Sequence, residues 1–190
     1  MRSLYLGQWR IDVEWRDDVP RLLPATALAR VAVAALDAAG APGPASLGLI
    51  LSDDAELAEL NAAHMGKDGP TDVLSFPLLP PATYPPHPGK AAPGAVADEA
   101  DDEADDDPAV DFRLPPGARL HLGDIVVSVD RAVDQAGAGR GGQTGDVRWD
   151  ARDELRLLVT HGTLHVCGWD HAEPGEEAAM RARETRLIGA

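Results

Sequence analysis

Apolar positions along the chain recur with two periods, and each period marks a different kind of element. Ala25 to Ala38 spaces Leu28, Val31, Ala35 and Leu36 at helical intervals and runs into Gly40 with prolines beyond, which predicts a helix closed by a glycine. Ser46 to Leu51 is a short apolar run and predicts a buried strand. Asp53 and Asp54 then offer an N-cap to a second helix carrying Leu57, Leu60 and Asn61. Val73 to Pro77 predicts a strand entered through the turn Gly69-Pro70-Thr71-Asp72. Its closing proline suits a sheet edge. Ile125 to Val129 predicts another strand, introduced by Gly123-Asp124, and Asp130 to Ala136 reads as helical. No internal repeat is present.

The segment Asp150 to His171, DARDELRLLVTHGTLHVCGWDH, carries the chemistry. Asp150 is placed to cap a helix, with Asp153 and Glu154 in a first turn where negative charge complements the helix dipole. At about 100° per residue, Leu155, Leu158, Val159, Gly162 and Val166 fall on one arc that faces the core. His161 and His165 lie one turn apart at the edge of that arc, so both rings can reach one point. Gly168 can end the helix in the left-handed conformation, after which the chain returns His171 to the same point. Three imidazoles supply the nitrogen donors that zinc favours and leave a coordination place for water or substrate. The spacing predicts one divalent ion, zinc by donor type, on His161, His165 and His171. Asp170 is a candidate to accept a hydrogen bond from a ligand ring, or else an ordinary turn aspartate. Cys167 reads as a small buried residue. His64, His87 and His121 have no partner at chelating spacing and read as surface or loop residues.

Composition narrows the setting. A length of 190 residues makes one domain the expectation, and aromatics at 4% leave the packing to aliphatic side chains. One cysteine excludes an internal disulfide. Arg2, Arg10, Asp12 and Glu14 interrupt the N-terminal segment, so it lacks the apolar run of a signal peptide. Leu22 to Leu51 is too broken by Arg30, Asp37 and three prolines to span a membrane. A cytoplasmic protein with no membrane partner is expected. The net charge of −15 argues against general nucleic-acid binding, DNA included. About half of that excess is local: Leu78 to Ala118 holds nine acids against two bases. Within it, Pro80 to Pro116 is a Pro, Ala, Gly and acid run without apolar periodicity, and it predicts a mobile insertion.

His161-xxx-His165-xx-Gly168-xx-His171 also resembles the metal signature of the metzincin proteases, with one departure. Those proteases place a glutamate after the first histidine as general base, and Gly162 stands there in this chain. On this reading a glycine leaves uncharged space through which an anionic phosphodiester can approach the cation.

Two segments together resemble the YbeY family of bacterial metal-dependent endoribonucleases. One is HGTLHVCGWDH, His161 to His171; the other is Leu60-Asn61 through GKDGPTDVLSFP, Gly66 to Pro77. Further similarity runs through Leu122 to Val126 and the ending Met180 to Ile188 with Glu184. The resemblance implies an α+β fold with a small mixed sheet, and one metal on the three histidines. It also implies cleavage of single-stranded RNA, in 3′-end maturation of 16S ribosomal RNA and ribosome quality control, with ribosomal or small-subunit proteins as partners. Many members carry an arginine where this chain has Met65, which leaves Lys67 as the nearest cation for RNA. Lys67 is otherwise a plain surface lysine. Arg181, Arg183 and Arg186 interleave with Glu176, Glu177 and Glu184, which predicts a salt-bridged solvent face. No residue stands out as the general base. A metzincin-like peptidase and a non-catalytic assembly factor with structural zinc are the rival readings.

Overall fold

The computed structural model describes residues 1–88, 119–137 and 149–189. Most of the acidic insertion therefore lies outside the described residues. The elements run β1 (Arg2–Leu6), β2 (Trp9–Trp15), α1 (Ala25–Ala39), β3 (Ala45–Ser52), α2 (Asp54–Met65) and β4 (Val73–Pro77). After them come β5 (Leu120–Ser128), α3 (Val129–Gly137), α4 (Ala151–Val166) and α5 (Pro174–Ile188). The strands form one mixed sheet in the order β1-β2-β3-β5-β4, so the fold is α+β. The outer pairs β1/β2 and β4/β5 are antiparallel, and β2, β3 and β5 run parallel.

Sequence reasoning missed β1 and β2. The charges that argued against a signal peptide are the outward half of a strand alternation. Trp9, Ile11 and Val13 are buried, while Arg10, Asp12 and Glu14 point away from the core. Strict alternation over these residues was the available signal. β5 also begins five residues earlier than expected. Gly123-Asp124 does not introduce the strand but sits within it, where the register to β3 shifts. Gly123 has φ +147°, and a Cβ there would lie 2.3 Å from the Phe76 carbonyl oxygen, so only glycine lets β4 approach this closely.

The two faces of the sheet are covered differently. Ile11, Val13, Leu47, Leu49, Ile125 and Val127 point to one face, where α1 and α4 supply Leu28, Ala32, Leu36, Leu155, Leu158 and Val159 to a common aliphatic core. On the other face α2 covers only the β4/β5 side, through Leu57 against Leu74 and Val126. Pro77 closes β4 at the sheet edge, as the proline predicted.

Candidate metal centre

The centre is built at the C-terminal end of α4. Asp150 starts the helix: its carboxylate accepts from the Arg152 and Asp153 amides, and Asp153 accepts from the Asp150 amide in return. With that start, the apolar arc of α4 lies on the sheet at Gly162. A Cβ at 162 would meet Val73 Cγ2 at 2.9 Å and Ile125 Cγ2 at 3.2 Å, and Ser75 Oγ donates to the Gly162 carbonyl over 3.0 Å. The expectation that Gly162 opens space for an anionic substrate is therefore corrected. This glycine faces β4 and β5, where it sets how closely the helix can seat.

His161 and His165 emerge beside this contact, with their Nε2 atoms 3.1 Å apart. Beyond the C-cap Cys167, Gly168 adopts φ +78° and reverses the chain; its amide donates to the His165 carbonyl and the Trp169 amide to that of Leu164. Trp169 is buried, so the turn is anchored before it delivers His171. The ring centroids of His171 lie 5.5 Å from His161 and 5.0 Å from His165. One ligand nitrogen from each of the three rings lies within 4.8 Å of the others.

These spacings fit a cation. Zinc–nitrogen bonds of about 2.0–2.1 Å at tetrahedral angles put ligand nitrogens roughly 3.3 Å apart, close to the 3.1 Å between the Nε2 atoms of His161 and His165. The protonation state of His165 also suits binding, since only a neutral imidazole can ligate a cation. Burial first, and then the neighbouring His161 and His171, lower the His165 pKa to about 4, so its ring is neutral at pH 7.

The sequence candidates around the trio separate. The Asp170 carboxylate accepts from the His171 amide at 2.7 Å and so shapes the turn. The carboxylate that reaches a ligand ring belongs to Glu184, whose Oε1 lies 2.6 Å from His161 Nδ1. Reading α5 as a salt-bridged solvent face is therefore corrected in part. Arg181 does pair with Glu177 at 2.5 Å, but Glu184 is buried and Arg183 lies over the Trp169 ring, 5.3 Å from its centroid. Cys167 is buried, and burial pushes its thiol up to about 12. Two of the remaining histidines are more engaged than surface residues. His87 stacks on Trp169 at 3.9 Å, and His121 lies within β5 between Ser46 Oγ and Asp124. His64 is exposed and meets Phe76 edge-on.

An open cleft of about 920 Å³ adjoins the three rings, walled by β4, the loop after α2, and α5. Lys67 and Met65 both line it, which brings the candidate RNA-contacting lysine to the same cavity as the histidines. Asn61 shapes that loop from beneath, donating from Nδ2 to the Gly69 carbonyl at 2.8 Å.

Residues 14–190 match the family described as Endoribonuclease YbeY. The chain belongs to the YbeY family. Among proteins named Endoribonuclease YbeY, that of Roseiflexus sp. (strain RS-1) is 40% identical over 78% of this chain and 71% of its own length. The Roseiflexus castenholzii protein is 34% identical over 95% and 91%, and that of Salinispora tropica 40% identical over 85% and 84%. The YbeY match thus takes in every element from the end of β2 to α5, including all three histidines and Glu184.

Proposed function

We propose that this chain is a metal-dependent endoribonuclease that holds one zinc ion on His161, His165 and His171. Its substrate on this reading is single-stranded RNA, in 3′-end maturation of small-subunit ribosomal RNA and in ribosome quality control. Ribosomal components in the cytoplasm are its partners. The observation that carries the proposal is the convergence of three imidazoles at the mouth of an open cleft, in a chain of the YbeY family.

When bound, the cation supplies positive charge against a scissile phosphate and stabilises the charge that develops on its oxygens. The chain's own groups do the rest. On this reading Lys67, exposed on the loop after α2 and lining the cleft, meets a backbone phosphate and stands in for the cation that Met65 does not provide. Asn61 keeps that loop in place, while the buried Trp169 and the Asp170 turn hold His171 opposite the two helical ligands. Among the described residues no helix is long and apolar enough to cross a membrane.

Peptide hydrolysis is the weaker reading. The position where a metzincin carries its glutamate is Gly162, packed against Val73 and Ile125 with no room for a side chain. The test is cleavage of single-stranded RNA by one preparation with and without chelator, beside His165→Ala and with a denatured protein as second substrate. The expected result is RNA cleavage that chelator abolishes and that zinc restores. Cleavage of the protein substrate alone, or RNA cleavage indifferent to chelator and to His165→Ala, would overturn it.

A further inference from the structure

His161 presents its two ring nitrogens to different surroundings. Nε2 faces His165 inside the cluster, whereas Nδ1 lies 2.6 Å from Glu184 Oε1. A neutral imidazole has one N–H and one lone pair. A carboxylate can only accept, so this contact assigns the proton to Nδ1 and turns the Nε2 lone pair toward the cluster. Glu184 arrives from α5, 23 residues along the chain, and only 8% of its surface is exposed. Burying a carboxylate costs free energy unless it is hydrogen-bonded, and the ligand ring is the partner it finds there.

We propose that Glu184 is a positioning residue of the metal centre, one that holds the tautomer and rotation of His161 so that Nε2 stands ready for a divalent cation. The inference rests on the metal-binding reading above. Without the carboxylate the ring can rotate about χ2 and exchange tautomers, and part of the binding free energy is then spent on ordering it. Met180 packs α5 into the core independently of this contact, so the helix has a second anchor when Glu184 is changed.

The experiment titrates the full chain with zinc alone against a chromophoric chelator, for the natural protein and for Glu184→Ala, Glu184→Met and Glu184→Gln. The natural chain should take up one zinc. Glu184→Ala and Glu184→Met, which lack an acceptor, should bind about 10- to 100-fold more weakly. Glu184→Gln keeps an acceptor oxygen and should recover most of the affinity. Should Glu184→Ala not fold, Glu184→Met carries the same expectation with a side chain of similar length. Nitrogen NMR of the metal-free protein supplies a second readout: His161 should carry its proton on Nδ1 in the natural chain and lose that preference in Glu184→Met. Variants that bind zinc within about twofold of the natural chain and keep the tautomer overturn the proposal, even if their melting temperatures fall. A natural chain that binds no zinc instead overturns the metal reading itself, and this inference with it.

Discussion

A histidine cluster on one side of the sheet and a single histidine on the other use the same residue type to different ends. On the α4 side, three rings converge and a carboxylate stands behind one of them. On the open side of β5, His121 lies 3.0 Å from Ser46 Oγ at Nδ1 and 3.3 Å from Asp124 at Nε2, so both of its nitrogens already have protein partners. A histidine with a neighbouring carboxylate is therefore common to both places. What distinguishes the metal side is that several rings direct nitrogens to one point beside a cleft, so that an added cation completes the arrangement.

Breaking one ring on each side gives the largest contrast. His165→Ala should lower zinc affinity and RNA cleavage by more than about 100-fold, beyond the loss expected for an outer-shell partner. His121→Ala should leave both within about twofold. Equal losses from the two variants, in the same zinc titration and cleavage assay, would show that the three-ring cluster is not the metal site.

A pair of buried glycines extends the contrast to packing. Alanine at 162 would drive a methyl group into Val73 and Ile125, which are held by the core, so α4 must lift from β4. Crowding of this kind costs about 1–3 kcal/mol, against roughly 1 kcal/mol gained by replacing a helical glycine. Gly162→Ala should therefore lose up to about 2 kcal/mol in urea unfolding and weaken zinc binding as the ligands shift. Alanine at 48 meets Asp124 first, and the close contact is its carboxylate, the far end of a side chain that can swing away from His121. Gly48→Ala should stay within about 0.5 kcal/mol. A stabilised Gly162→Ala would refute the account of the helix seat.

Smaller effects test the supports at each end. Asp150→Ala removes the carboxylate that starts α4 and should cost about 1 kcal/mol in the same urea experiment. Away from the metal, the Arg16 guanidinium holds the Glu56 carboxyl below its ordinary value of about 4.5. A lowered carboxylate pKa contributes stability above the unfolded value, and that contribution is lost as pH falls through the folded one. The stability difference between the natural chain and Glu56→Gln should thus be largest near neutral pH and shrink below about pH 4.5. This pair is partly exposed, so the difference should not exceed about 1 kcal/mol. A difference that widens on acidification would contradict the assignment.

Local signals carried much of this protein. Asp150, Gly40 and Gly168 act within a turn of where they stand, and the i, i+4 spacing of His161 and His165 places two ligands on one helix edge in any fold that keeps α4 helical. The YbeY resemblance, resting on the two motif segments, agrees with the family match over residues 14–190. The second strand is legible only in the alternation of Trp9, Ile11 and Val13 with Arg10, Asp12 and Glu14, whereas β1, short and mostly exposed, carries no such pattern.

What sequence alone determined is the helix, its cap, the two imidazoles one turn apart on it and the glycine turn before the third, because those follow from dihedral preferences and spacing over a few residues. Tertiary structure decided the rest: that Gly162 is a packing surface, that Lys67 shares the cleft, and that Glu184, not Asp170, meets His161. Each of these depends on where a distant element docks. Docking is set by the burial of the whole aliphatic core and leaves no mark at the residue that it brings near.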